Sequence, residues 1–580
     1  MSTPRYPLVL LLLMGTFIST QSWAQPVVKV DIKGIDTELE TNVRLFLSIE
    51  QQRAHPLMSD GRIRRLHQKA NAEIAAALQP YGFYQPEITS TLTEQEAHSW
   101  LASYAIDPGP GIPIAEFNLN VSGEAGEDPA FKELIGKIAM KPGDIFVHPV
   151  YESVKSKLSG LASERGYVQA VFTTTRVEID LKAYEARVYL DFDSGPRYSF
   201  GEVSLDQDVL ESELLQRYIP FQRGDPFSLG QVIRLQQALN DSNYFKVAEV
   251  SPAQPLADSQ EIPINVSLTP RKDHRYNFGL GYGTDTGARA KFGWRMPRVN
   301  RQGHRIDSEI EVSEIGYNLG ANYRVPVLNP RTDQLVYSIS QEKEKTDSND
   351  STLSSVGISL NHNRGKWREV LTLTYEREAF EVADDSGDSD LLIPGVSWTR
   401  TWGQEFINVL DGLRFDIGVR GASASLASDT DFLQLRGGIK FITSLGPRNR
   451  LLVRGNFGTT ETPDFDQLPS SLRFFAGGSQ SVRGYGYEDL GPTNDNGDVV
   501  GGKHLLTGSI EFEHFFNDNW GVAVFLDAGN AIDNLNDDLE QGAGFGFRWK
   551  SPVGPVRIDL ANAISTDQSW RLHVSIGPDL

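Results

Sequence analysis

The sequence predicts a membrane β-barrel of about 16 antiparallel strands behind three small α+β domains. Three observations lead there. A run of some 300 residues from Arg275 onward alternates apolar and polar residues with period two. The N-terminal half repeats one pattern three times, and a short apolar segment at the N-terminus has the form of an export signal.

The export segment opens with Arg5, runs apolar from Pro7 to Ile18 and ends in Ser22-Trp23-Ala24. Small residues at Ser22 and Ala24 place cleavage after Ala24, so residues 1–24 read as a signal peptide. The apolar run is short for a spanning helix, which needs about 20 residues. The mean hydropathy of −0.33 suits a barrel, whose strands average lipid-facing and lumen-facing residues. The chain has no cysteine, so thiol chemistry is excluded, and its net charge of −21 argues against nucleic acid. Acidic runs such as Asp384 to Asp390 and Asp495 to Asp498 read as solvated loops without calcium-loop spacing.

The repeat is a short strand, helical periodicity, a turn rich in Gly or Asn and aromatics, and two further strands. The turns are Tyr81-Gly82-Phe83-Tyr84, Arg165-Gly166-Tyr167-Val168 and Ser242-Asn243-Tyr244-Phe245. Gly and Asn most readily take the left-handed conformation that closes a helix. A second marker precedes the last helix of the second and third copies: Lys141-Pro142-Gly143-Asp144-Ile145-Phe146 and Gln222-Arg223-Gly224-Asp225-Pro226-Phe227. Apolar spacing predicts helices over 63–78, 150–161 and 229–239. The domains are therefore placed at 25–107, 112–194 and 195–270, joined by short Pro/Gly links. They resemble POTRA domains, a resemblance that implies an exposed sheet edge able to add a client strand.

The barrel is placed at 275–580. Phe278, Leu280 and Tyr282 alternate with Gly279, Gly281 and Gly283, and Trp570, Leu572, Val574 and Ile576 alternate with Arg571, His573 and Ser575. A soluble sandwich also alternates, but the length of the run, the export signal and the recurring Trp294, Trp367, Trp520 and Trp570 favour lipid-facing strands with aromatic girdles.

Two stretches hold the candidate chemistry. One is Phe474 to Tyr485, containing Val482-Arg483-Gly484-Tyr485; the other is Val524-Phe525-Leu526-Asp527-Ala528-Gly529. Trp520, Val522, Val524 and Leu526 share an apolar face, which puts Asp527 on the lumen side. A loop folding inward brings Arg483 to Asp527, with Glu511 a second acceptor, because guanidinium binds carboxylates in a planar fork. Gly484 permits a tight turn beside it. Spacing alone favours the plainer reading, a solvated arginine and an ordinary pore-lining acid.

The Val-Arg-Gly-Tyr loop with a Phe-x-Asp-x-Gly strand, closed by Gly529, tips the balance the other way, because it resembles the BamA/TamA family of POTRA-plus-barrel outer-membrane insertases. Residues 551–560, ending Val556-Arg557-Ile558-Asp559-Leu560, are similar to the family's late-strand signature. Three repeats and the ending Ile576-Gly577-Pro578-Asp579-Leu580 resemble the TamA branch most, and a last residue that is not aromatic fits a machine rather than a client.

The resemblance implies a periplasmic arm, an outer-membrane barrel, no enzymatic activity and no cofactor. It also implies a TamB-like inner-membrane-anchored partner docking on the first domain, with unfolded outer-membrane or autotransporter clients entering at the junction of first and last strands. That seam is assigned to Phe278, Gly279, Leu280, Gly281, Leu572, Val574, Ile576, Gly577 and Pro578, with Leu280 taken to face Val574. Proline cannot donate to a ladder, and the glycines permit bending. A two-partner-secretion transporter, a passive pore and a lipid transporter use the same barrel and stand beside this reading. A hydrolase does not, since no Gly-x-Ser-x-Gly elbow and no helical His pair occurs.

Overall fold

The turn residues and helical spacing of the N-terminal half produce the same unit three times. The computed structural model describes residues 26–96, 98–255, 259–403, 411–551, 554–566 and 570–576. The expected signal segment and the seam residues Gly577 and Pro578 lie outside these. The chain divides into two units: the described residues up to Gly201 with 223–230 and 254–262, and the remainder, which holds most of the third domain and the barrel.

In the first domain β1 (Val27–Lys33) leads into α1 (Thr37–Phe46), α2 (Ser48–Gln51) and α3 (Asp60–Leu78), followed by β2 (Glu87–Glu96) and β3 (Ser99–Asp107). Strand β3 lies centrally, parallel to β1 and antiparallel to β2. Ile63, Leu66, Ala70, Ile74 and Ala77 form one buried stripe of α3, packed on Trp100, Ala102 and Tyr104 of β3. The second domain repeats the order with β4 (Ile114–Ser122), α4 (Pro129–Gly136), α5 (His148–Arg165), β5 (Val171–Asp180) and β6 (Glu185–Asp193). The third has β7 (Ser199–Asp206), α6 (Ser212–Gln216), α7 (Leu229–Asp241), β8 (Phe245–Pro252) and β9 (Glu261–Pro270).

The structure explains why the two sequence markers recur in step: they meet at each joint. Gly82 and Gly166 are left-handed, at φ 88° and 85°. The Gly82 carbonyl accepts from Ile112 N at 2.8 Å, and the Gly166 carbonyl from Tyr198 N at 3.0 Å. A Cβ at Gly82 would run into the Phe146 carbonyl, and one at Gly166 would lie 2.7 Å from the Phe227 Cβ. The turn of one domain thus seats the aromatic marker of the next.

The remaining strands form one antiparallel sheet in chain order. They are β10 (Arg275–Gly283), β11 (Gly287–Met296), β12 (Arg305–Ser313), β13 (Gly316–Pro326), β14 (Gln334–Lys345), β15 (Asn349–Arg364), β16 (Trp367–Val382) and β17 (Asp385–Gly403). Then follow β18 (Gly412–Ala422), β19 (Phe432–Ser444), β20 (Asn449–Glu461), β21 (His504–Phe515), β22 (Trp520–Ile532), β23 (Glu540–Ser551), β24 (Gly554–Ala563) and β25 (Arg571–Ile576). Sixteen strands, apolar outside and polar inside, fit the expected barrel. The wall is uneven: β17 runs 19 residues, where about 9–11 span a membrane. Here one expectation is corrected. Asp385 to Asp390 are not loop residues but the first part of β17, paired with β16 from Val382 to Arg377. A hairpin that outgrows the bilayer stands in water, so its acidic composition is no signal against pairing.

The third domain is fastened to two turns of the barrel. Tyr244 Oη donates to the Gly303 carbonyl at 2.5 Å, Glu211 N to the Arg301 carbonyl at 2.8 Å, and Tyr218 Oη to the Pro330 carbonyl at 3.4 Å. Both tyrosines are buried, and the Arg305 guanidinium lies 4.3 Å from the Tyr244 ring centre. The anchorage is to the turns after β11 and β13, on the first-strand side of the barrel.

One buried charge organises the second domain. Asp128 caps α4 through Ala130 N at 3.0 Å, receives Arg165 Nε at 2.7 Å and receives Tyr167 Oη at 2.9 Å. Burial pushes its carboxyl up, but the bonds from Ala130, Arg165 and Tyr167 outweigh this and hold it below the usual range. A depressed carboxylate stabilises fully above the ordinary aspartate value of about 3.9 and loses that contribution as pH falls through its lowered folded value. Asp128→Ala should cost roughly 2–4 kcal/mol, since it removes a cap and orphans Arg165. Hydrogen exchange should show domain two opening preferentially, and the mutant's deficit should shrink in acid; an unchanged exchange pattern would refute this role.

Candidate functional site

The segment between β20 and β21 turns into the barrel because it carries its own apolar core. Ala476, Val482, Tyr485 and Leu490 pack with Ala563, and Leu468 and Leu472 pack with Leu391, Ile393 and Phe432. Left-handed Gly477, Gly478 and Gly484 let the chain reverse. Arg473 braces the outer part of the loop, donating to Asp385 at 2.9 Å and to the Leu468 carbonyl at 2.8 Å.

Arg483 sits at the bottom, 2% exposed. Its Nε and Nη2 bind Asp527 as a fork at 2.7 and 2.9 Å, and its backbone N adds a third bond at 3.1 Å. Nη1 reaches Glu511 at 2.7 Å and Asp559 at 3.0 Å, while Nη2 also meets Ser509 at 3.2 Å. The Phe525 ring centre lies 3.4 Å from the guanidinium carbon. Tyr485 Oη donates to Glu540 at 2.7 Å. The structure therefore brings together Val482, Arg483, Gly484, Tyr485, Asp527 and Glu511. Gly529 is packed against β21, where a Cβ would lie 2.5 Å from the Leu506 carbonyl oxygen.

Sequence reading missed half of this network. Arg548 on β23 donates to Glu511 at 2.6 Å, to Glu513 at 3.0 Å and to Asp559. Arg450 pairs with Glu513 at 2.6 Å, and Arg454 shares the Ser509 hydroxyl with Arg483. Four guanidiniums thus gather around four carboxylates. Gly542, Gly544 and Gly546 line the inner face of β23 just before Arg548. A Cβ at Gly542 would strike the Arg483 carbonyl, one at Gly544 would lie 2.6 Å from the Phe525 ring, and one at Gly546 would strike Asp559. Three glycines at period two on a lumen face were the available signal that something packs there.

The junction of β10 and β25 differs from every other pair. Strand β10 pairs with β11 from Arg275↔Arg295 to Gly283↔Gly287, and β25 pairs with β24 from Val556↔Ile576 to Ala561↔Arg571. Between them, among the described residues, one backbone bond is present: Thr284 N to the Val574 carbonyl at 3.3 Å. Side chains add Val574 N to Thr284 Oγ1 at 3.3 Å and Arg289 Nη2 to the Ile576 carbonyl at 3.2 Å. Gly279 and Gly281 lie along this edge; Phe278 and Leu280 are 80% and 89% exposed, and Leu572 is also exposed. The assumed register is corrected: Val574 meets Thr284, not Leu280, because period-two patterns fix which face a residue takes but not its partner across an unladdered edge.

A family profile described as the Omp85 superfamily domain matches residues 260–579. The chain belongs to the Omp85 superfamily. Residues 29–108 match a profile described as POTRA domain TamA domain 1. The chain is 20% identical to outer membrane protein assembly factor BamA of Nitratidesulfovibrio vulgaris, over 94% of this chain and 71% of that one. It is 21% identical to BamA of Neisseria meningitidis serogroup B, over 79% and 66%. In fold it resembles the crystal structure of Haemophilus ducreyi BamA lacking POTRA domains 1–3, at TM-score 0.68 and 17% identity, over 80% of this chain and 99% of that one. As an Omp85 protein, it has its barrel in the outer membrane and its POTRA domains in the periplasm.

Arg483→Ala leaves buried carboxylates short of a partner and should cost about 3–5 kcal/mol. Gly542→Ala removes no charge but evicts the Arg483 backbone. Both variants should expose residues 474–490 to proteinase K in folded barrels. Protection of the loop in Gly542→Ala would show that Arg483 does not rest on that glycine.

Proposed function

We propose that this chain is a TamA-like assembly factor that inserts or translocates β-barrel or autotransporter-type clients through the seam between β10 and β25. A TamB-like partner, anchored in the inner membrane and reaching across the periplasm, would dock on the first POTRA domain, where Leu45, Phe46 and Leu57 are exposed. The match of residues 29–108 to a TamA first domain supports the TamA-like assignment, as do three domains in series.

One observation carries the reading: among the described residues a single backbone bond, from Thr284 just after β10 to Val574, joins the first strand's edge to the last strand. In lipid an unsatisfied backbone group costs several kcal/mol, so such an edge favours any strand able to pair with it. An extended client can add to β10, whose outward Tyr276, Phe278, Leu280 and Tyr282 already match a lipid-facing strand. The mechanism requires no bond-making chemistry, only exchange of one set of ladder hydrogen bonds for another. The loop packed into the lumen tells against a passive pore.

Thr284→Cys with Val574→Cys in this cysteine-free chain tests the seam. Oxidation should abolish delivery of an autotransporter β-domain into vesicles, and reduction should restore it. Undiminished delivery by fully crosslinked protein would sink lateral opening.

A further inference from the structure

Resting on the proposed seam, we infer that the lumen loop is its latch, that Asp285 and His573 are the two residues it holds, and that opening breaks the Asp285 side alone. Asp285 lies in the turn between β10 and β11, on the first side of the seam. Its Oδ2 receives both Ser479 N at 2.8 Å and Ser479 Oγ at 2.6 Å. Left-handed Gly477 and Gly478 bend the loop around this carboxylate; a Cβ on Gly478 would lie 3.0 Å from the same oxygen. On the other side, Gly484 N donates to Nε2 of His573, a β25 residue only 2% exposed, at 3.0 Å.

The two grips are unequal in what they are attached to. Gly484 follows Arg483, which is bound to acids on β21, β22 and β24 and rests on Gly542 of β23. Strand β25 is laddered to β24. His573, the Val482–Tyr485 turn and the C-terminal wall therefore move as one body. Asp285 belongs to the opposite body, the β10–β11 hairpin. Across the seam, two bonds from Ser479 converge on the Asp285 carboxylate, the Arg289 guanidinium supplies one more to the Ile576 carbonyl, and the two bonds between Thr284 and Val574 are neutral. Charge-assisted bonds are about twice as strong as neutral ones, and Asp285–Ser479 gathers two of them on one carboxylate.

His573 reinforces the closed state. Because its Nε2 accepts from Gly484, a neutral ring carries its proton on Nδ1. Among the described residues that nitrogen has no hydrogen-bond partner, and it lies 3.8 Å from Asp285 Oδ1. A slightly tighter closure makes it a third donor to the same carboxylate, joining first hairpin, loop and last strand at one point.

The test uses the full-length chain in vesicles with Asp285→Cys and Ser479→Cys. Oxidation should slow autotransporter delivery by roughly tenfold or more, and reduction should restore it. Full delivery by the locked protein overturns the latch. If the Thr284/Val574 crosslink blocks delivery and this one does not, the latch fails and the seam stands; if neither blocks, the seam reading fails first. Asp285→Ala provides a second measurement. Spin labels on β10 and β25 should report a broader, longer distance distribution while residues 474–490 stay protease-resistant. An unchanged distribution would also contradict the latch.

Discussion

A single buried guanidinium sets the interior of this barrel. Arg483 must find anionic partners or bear the full cost of a desolvated charge, and it finds three on separate strands. That requirement propagates outward. Phe525 covers the guanidinium face, Gly542 makes room for the backbone, and Arg548 and Arg450 neutralise the carboxylate oxygens that Arg483 does not reach. The result is a rigid C-terminal wall, β20 to β24, with a loop welded to it.

The N-terminal wall is built differently. It is held from below by the third POTRA domain, through buried Tyr244 and Tyr218 on the turns after β11 and β13. Between these two bodies lies the sparsest hydrogen bonding among the described residues of the sheet. Flexibility in the barrel is therefore concentrated at one edge rather than spread around the circumference.

Much of this was legible in the sequence. Period-two alternation marked the strands, the Gly-aromatic turns marked the repeats, and the phase of Trp520 to Leu526 put Asp527 on the inner face, where the structure has it. What escaped were relations between strands far apart in the chain. Arg548, Glu513 and His573 look like ordinary lumen residues until β21 to β25 are assembled into one wall. The register at the seam escaped for the related reason that no hairpin turn fixes it. Asp385 to Asp390 misled because charge reports solvent exposure, and a strand standing above a membrane is exposed. The joint between POTRA domains was visible as two markers, but their contact required the fold.

Amide hydrogen exchange of the protein in a bilayer tests the account most directly. Strands β11 to β24 should exchange slowly, while the edge amides of 275–283 and of 571–576 other than Val574 exchange much faster, because they lack a ladder partner across the seam. Protection at those edges equal to that of β16 and β17 would mean a uniformly closed barrel and would contradict the central claim.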